Sequence, residues 1–132
     1  MIRDNENNAP KALLLMAHGS RAEVANNEFL ATVEKVKIVT PGYDYIGGIF
    51  LELSAPLLVD ESAKLYEKGF RSIDLYPVFF NQGRHVSRDI PNQIEKAVKA
   101  CDGLTIQLLP YFGSNDELPT LISQHIQNSS RR

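Results

Sequence analysis

Four short apolar runs alternate with four stretches of helical periodicity along this chain of 132 residues. Each run has the length of a buried strand, and each following stretch repeats its apolar residues every three or four positions. Repeated strand–helix units form parallel sheets with right-handed connections and helices on both faces. The sequence therefore predicts an α/β fold: a four-stranded parallel sheet in the order 2-1-3-4, with helices on both faces.

The predicted elements follow one another without an internal linker, which suits one domain. We predict a single domain over residues 11–128, with a flexible N-terminal tail over 1–10 and a flexible C-terminal tail over 129–132. The predicted strands lie within 11–16, 43–51, 72–80 and 104–109, and the predicted helices within 23–39, 56–68, 91–100 and 117–127.

Composition and charge exclude several classes of protein. The formal net charge of -2 argues against a nucleic-acid-binding protein, which would show a concentrated basic face. No apolar stretch is long enough to span a bilayer, and the polar N-terminus has no signal-peptide core. A lone cysteine, Cys101, allows no internal disulfide, and we expect it to be reduced. These features predict a cytoplasmic protein that acts away from membranes.

Two histidines follow predicted strands, each beside a glycine-containing loop. His18 comes directly after the first strand, and His85 comes after the third. In the order 2-1-3-4 these strands are neighbours at the point where open parallel sheets bind ligands. Imidazole is a good ligand for cobalt, iron, nickel or zinc, and two histidines leave coordination positions open. Glu52, just past the second strand, is a candidate third ligand or proton acceptor, while ordinary structural roles for all three stay open.

The same loops contain features suited to an anionic ligand. Asp89 and Pro91 resemble the start of a helix, so the amides near Val86 to Arg88 would point at an anion. Glycine in the loop permits close backbone approach. Arginines clustered around these loops in a weakly acidic protein favour a ligand with several carboxylates. The alternative is that they are solvated surface residues. The candidate substrate-binding residues are Ser20, Arg21, Gly83, Arg84, Val86 and Arg88.

Several segments together resemble one known family. They occur in the family's order and spacing over about residues 11–122, and they read Leu14-Leu15-Met16-Ala17-His18-Gly19-Ser20-Arg21, Phe50-Leu51-Glu52, Tyr76-Pro77-Val78-Phe79-Phe80, Gly83-Arg84-His85-Val86 and Asp89-Ile90-Pro91. This set resembles the sirohydrochlorin chelatases of the small class II type, the short cobaltochelatases and ferrochelatases. The segment Tyr111-Phe112-Gly113-Ser114-Asn115-Asp116 departs from many relatives, which have a proline and sometimes a histidine after the glycine.

The resemblance implies a function and a site. It implies insertion of a divalent metal, Co²⁺, Fe²⁺ or Ni²⁺, into sirohydrochlorin or a related polycarboxylate tetrapyrrole, in cobalamin or siroheme biosynthesis. It implies that His18 and His85 are the active-site histidines and Glu52 their acidic partner, and that no organic cofactor is needed. The short chains of this family look like one half of longer two-domain chelatases, so the resemblance also implies a homodimer.

Three other functions stay open at this point. The same residues would serve a carrier that holds metal or tetrapyrrole without turnover. A histidine-dependent phosphoryl-transfer enzyme would place an arginine directly before the histidine, whereas Ala17 precedes His18 here and Arg21 follows it. A structural subunit with a decayed site is the third alternative.

Overall fold

A computed structural model describes residues 9–130, and of His85 the backbone. The predicted tails fall largely on residues 1–8 and 131–132, outside the described residues, and the last helix extends to Ser129. The strands are β1 (Lys11–Ala17), β2 (Tyr45–Phe50), β3 (Ser72–Pro77) and β4 (Thr105–Leu108), and the α-helices are α1 (Glu23–Val39), α2 (Leu58–Glu67), α3 (Ile90–Ala100) and α4 (Leu118–Ser129).

The four strands form one parallel sheet in the order β2-β1-β3-β4, which confirms the predicted topology. β1 pairs with both β2 and β3, so it is a central strand. The five residues Ala12 to Met16 are all buried, as a continuous apolar run covered on both faces requires. The strand order therefore reverses beside β1. The residues that follow β1, β2 and β3 meet at one edge of the sheet.

Helices cover the two faces of the sheet unequally. On one face, α2 and α3 pack against each other over the larger core, which contains Leu14, Met16, Leu75 and Ile90. On the other face, α1 packs against β2, with Val33 buried beside Leu13 and Leu15. Thr105 and Gln107 of β4 are exposed.

α4 lies against neither core. None of its residues is buried, and three large apolar side chains stand open to solvent: Leu121 at 54%, Ile122 at 46% and Ile126 at 58% exposure. The residues from Leu118 to Ser130 include no Asp, Glu, Lys or Arg, which is unusual for a helix that only water surrounds. Among residues 9–130, no helix combines the length and the apolar character needed to cross a membrane.

The segment before α3 differs from the prediction. A π-helical turn, His85–Asp89, leads directly into α3. Asp89 has helical backbone angles and its side chain makes no capping hydrogen bond, so its predicted role as the helix cap is wrong. Pro91 does lie in the first turn of α3, as expected. Helical backbone begins before Asp89, because the Ser87 amide already donates to the Gly83 carbonyl at 3.0 Å.

Candidate active site

The backbone of the β1–β2 ladder positions His18 and Glu52. Beyond the last paired residues of the two strands, the Leu51 amide donates to the Ala17 carbonyl at 2.8 Å. The Glu52 amide then donates to the His18 carbonyl at 3.1 Å. The two residues are therefore held by the same hydrogen-bonding pattern as the sheet, although both lie past its strands.

The side chains of His18 and Glu52 meet at this edge. Nε2 of His18 lies 2.9 Å from Oε2 of Glu52, and the side chains are 41% and 51% exposed. Nδ1 of His18 lies 3.0 Å from the Gly19 carbonyl oxygen, which can only accept a hydrogen bond. Nδ1 can therefore donate to this carbonyl, while Nε2 lies within hydrogen-bond distance of the Glu52 carboxylate. The pair can therefore hold a proton and exchange it with a ligand at the sheet edge.

Gly19 makes this contact sterically feasible. Its φ of +99° lies in the left-handed region, and a Cβ there would come within 1.8 Å of the Glu52 carbonyl oxygen. The next residue is fixed from α1, because buried Asn26 accepts from the Ser20 amide at 3.0 Å and donates to the Ser20 carbonyl at 2.8 Å. The Ser20 hydroxyl accepts from the Ala22 amide, so it braces the loop.

Side chains outside the predicted site residues complete its surroundings. Phe79 contacts the imidazole of His18 edge-on, with ring centroids 6.4 Å apart. Gln93 of α3 donates to the Leu51 carbonyl at 3.0 Å and so holds the residue before Glu52. In the sequence, Asn26 stands out only as a polar residue on the apolar side of a predicted helix. Nothing in the sequence indicates the role of Gln93.

A polar cavity of about 250 Å³ opens beside Glu52. It connects this carboxylate to solvent on the side of α3, and its lining residues are Leu51, Glu52, Asp89, Asn92, Gln93 and Lys96. Glu52 thus contacts His18 and also lines a polar cavity.

The predicted metal ligands are only partly described. His85 begins the π-helical turn after β3, so its backbone follows the strand next to β1, but its side chain lies outside what the structure describes. In the described part of the chain, no group of three or more His, Cys, Asp or Glu side chains is placed to hold a metal ion. The structure therefore brings His18 and Glu52 together, and the role of His85 stays a prediction.

The candidate substrate-binding residues differ in their exposure. Arg21, Arg84 and Arg88 are exposed, and Nε of Arg88 lies 3.7 Å from Asp89. By contrast, the side chain of Val86 is buried in the larger core, so only its backbone could meet a ligand. The Gly83 carbonyl accepts from the Ser87 amide, and that amide is therefore not directed at an anion.

The strongest pKa shifts occur away from this edge. The hydroxyl of Tyr43, just before β2, donates to buried Asp74 at 2.7 Å, and Lys11 pairs with the same carboxylate at 3.3 Å. Burial and the bond to Asp74 raise the pKa of Tyr43 to about 12. Burial and a bond to Glu61 likewise raise the pKa of Tyr45 to about 12. The contacts of Asp74 link β3 to the start of β1 and to the residue before β2, and the Tyr45–Glu61 bond links β2 to α2.

Comparison with known proteins assigns the chain to a family. The model of the CbiX family matches residues 12–129, nearly the whole described chain. The chain belongs to the CbiX family. Because His18, Glu52 and His85 all lie within the match, the candidate site is part of the region that defines this membership.

Curated proteins similar to this CbiX chain are chelatases. The sirohydrochlorin cobaltochelatase of Sulfolobus acidocaldarius is 33% identical over 64% of the chain and 66% of its own length. That of Sulfurisphaera tokodaii is 23% identical over 90% of the chain and 93% of its own length. The chloroplastic sirohydrochlorin ferrochelatase of Arabidopsis thaliana is 26% identical over 88% of the chain. The CbiX chain spans about half, 51%, of this plant relative.

A solved structure has the same fold. The sirohydrochlorin chelatase SirB from Bacillus subtilis subspecies spizizenii, in complex with cobalt, matches with a TM-score of 0.81 and 24% identity. The match covers 90% of the CbiX chain and 50% of the SirB chain. The chelatase-like fold predicted from the sequence is thereby confirmed.

Proposed function

We propose that this chain inserts a divalent metal ion, Co²⁺ or Fe²⁺, into sirohydrochlorin. The observation that supports this most directly is the His18–Glu52 pair, 2.9 Å apart at the ligand-binding edge of a CbiX-family sheet. The names of the curated relatives support the same substrate and both metals. Nickel is a further prediction from the affinity of imidazole and carboxylate ligands for divalent ions.

The pair accounts for the protons of the reaction. When the metal enters the macrocycle, two pyrrole N–H bonds break, their electron pairs bind the metal, and two protons must leave. Glu52 accepts the two protons one after the other, through His18 or directly, and passes each to solvent through the polar cavity at its other side before it accepts the next. The unprotonated imidazole of His18 is proposed to bind the incoming ion. His85 is proposed as the second imidazole.

Positive charge near the histidine loops suits the carboxylates at the rim of the substrate. Sirohydrochlorin carries carboxylates around a planar ring, and Arg21, Arg84 and Arg88 present exposed guanidinium groups near the histidine loops in sequence. We propose that these arginines hold the carboxylates while the ring lies at the sheet edge. Much of the acceleration would then come from positioning.

Anaerobic mixing tests the proposal. Purified protein, sirohydrochlorin and Co²⁺ or Fe²⁺ are followed by absorbance against a control without protein. Faster formation of the metallated spectrum supports a chelatase. A stoichiometric complex whose free-base spectrum persists after metal is added would instead favour the alternative function of a carrier. The faster metal indicates which biosynthetic route the chain serves.

The site is proposed to work in a homodimer. Exposed apolar residues on the uncharged helix α4 give each subunit a surface suited to self-association. Two of the similar proteins are about twice as long as this chain, which covers 51% of the plant ferrochelatase and 50% of SirB. A second copy would supply the other half. A cytoplasmic location stays a prediction from the sequence.

A further inference from the structure

Phe80 is an exposed aromatic side chain at the same end of the sheet as the His18–Glu52 pair. It follows β3, and 65% of its surface is open to solvent. The chain just before it is still joined to β1, since the Val78 amide donates to the Met16 carbonyl at 2.8 Å. Its neighbour Phe79 contacts the imidazole of His18. Phe80 is thus one residue away in sequence from a side chain of the candidate site.

The loop after β4 holds Phe80 in place. The ring of Phe112 packs edge-on against the Phe80 ring, with centroids 5.7 Å apart. The Gly113 amide donates to the Phe79 carbonyl at 2.8 Å, and a Cβ on Gly113 would come within 1.6 Å of the Phe80 carbonyl oxygen. Because the backbone directly before Phe80 is fixed, little ordering of that backbone is needed when a ligand covers the ring.

We infer that Phe80 forms the apolar surface on which the tetrapyrrole ring of the substrate lies. The inference rests on the proposed chelatase function and adds a substrate-binding residue to it. A planar conjugated ring with charged groups at its rim needs an apolar contact for its face and cations for its edge. Phe80 provides the first, and the exposed Arg84, four residues later, provides a cation in the same loop.

Equilibrium binding of metal-free sirohydrochlorin tests the inference without turnover. Absorbance titration of the Phe80→Ala protein should give a Kd about 10-fold higher than that of the unaltered protein, the size expected when an aromatic contact and its buried area are lost. Phe80→Tyr should restore the affinity to within about 3-fold. In steady-state insertion assays, Phe80→Ala should raise KM and leave kcat nearly unchanged, because His18 and Glu52 remain.

Ile38→Ala is the matched control. Ile38 is 83% exposed in the last turn of α1, so this change also removes an exposed apolar side chain, and it should leave the Kd unchanged. Far-UV circular dichroism and the unfolding midpoint show whether each variant is folded. If Phe80→Ala fails to fold, Phe80→Leu, which keeps the bulk and loses the aromatic face, replaces it and should still weaken binding measurably.

The outcomes separate this inference from the proposed function. If the unaltered protein binds no sirohydrochlorin and inserts no metal, the proposed function is wrong and this inference fails with it. If the unaltered protein is active and a folded Phe80→Ala or Phe80→Leu protein keeps its Kd, Phe80 is not a ring contact and only this inference fails. An unchanged Kd with weakened self-association in sedimentation would place Phe80 between subunits and also overturn it.

Discussion

His18 and Glu52 are joined twice, once through the backbone and once through their side chains. The Glu52 amide donates to the His18 carbonyl at 3.1 Å, and Nε2 of His18 lies 2.9 Å from Oε2 of Glu52. The backbone link fixes where each side chain starts, so the side-chain contact does not depend on a flexible loop. A proton shared by the two groups can therefore move over a short and reproducible distance.

Glu52→Gln should slow metal insertion about 100-fold or more. The amide keeps the size of the side chain but can no longer accept a proton, and general-base contributions are about 10²–10⁴-fold. Initial rates at saturating sirohydrochlorin measure the effect. Glu95→Gln, on the exposed side of α3 where Glu95 pairs with Lys99 at 3.7 Å, is the matched control and should insert metal normally. Equal rates for the two variants would remove Glu52 from the proton path.

Loss of His18 should remove metal binding and its pH dependence together. A metal-ligating imidazole must be unprotonated, so Co²⁺ affinity should fall as the pH is lowered. Calorimetry with Co²⁺ alone, from pH 8 to pH 5.5, should show this fall in the unaltered protein. His18→Ala should bind weakly at every pH, whereas His125→Ala, a change on α4 outside the candidate site, should keep the full profile as long as the protein stays dimeric. A His18→Ala protein with unchanged Co²⁺ affinity would contradict the assignment.

Gly19→Ala should be much more destabilising than Gly42→Ala. Both glycines have φ in the left-handed region, +99° and +96°, so both variants lose about 1 kcal/mol to backbone strain. Only at position 19 does the new Cβ meet an atom, the Glu52 carbonyl oxygen at 1.8 Å, whereas nothing lies within 4 Å at position 42. Urea unfolding gives the two free energies. Equal losses would mean that the His18 loop moves away without cost.

Stability should decline as the pH rises from about 10 to about 12, partly because of Tyr43. Its pKa is about 10 in the unfolded chain and is raised to about 12 in the fold. Between these values the unfolded chain loses the proton first, so the free energy of unfolding falls with rising pH and the stabilisation is complete below pH 10. Tyr43→Phe should flatten this decline in urea unfolding at pH 9 to 11.5. A slope equal to that of the unaltered protein would show that Tyr43 does not contribute.

A charge on the apolar side of α4 should dissociate the proposed dimer. Ile122→Lys places an ammonium among exposed Leu121 and Ile126, where a subunit contact would have to bury it. Sedimentation velocity should show a monomer at concentrations where the unaltered chain is a dimer. Gln127→Lys adds the same charge to another side of the helix and should stay dimeric. A monomeric unaltered chain would overturn the dimer proposal itself.

The fold was more predictable than the site because periodicity reports burial. The run from Leu13 to Met16 is continuous and apolar because both faces of the sheet are covered, and this pattern identified the first strand. The proton-sharing contact of His18 with Glu52 depends on a side-chain rotamer and on the turn at Gly19, which no pattern of residue types encodes. The π-helical turn at His85–Asp89 was missed for the same reason: Asp89 and Pro91 look like an ordinary helix start.

The amide proton of Glu52 reports on the opening of this edge of the sheet. It is bound to the His18 carbonyl, so it can exchange with deuterium only when the two residues separate. The exchange lifetime of this proton in heavy water therefore measures how often the end of the sheet opens while the rest of the molecule stays folded. A ligand resting on this edge would lengthen that lifetime, and one bound elsewhere would leave it unaltered.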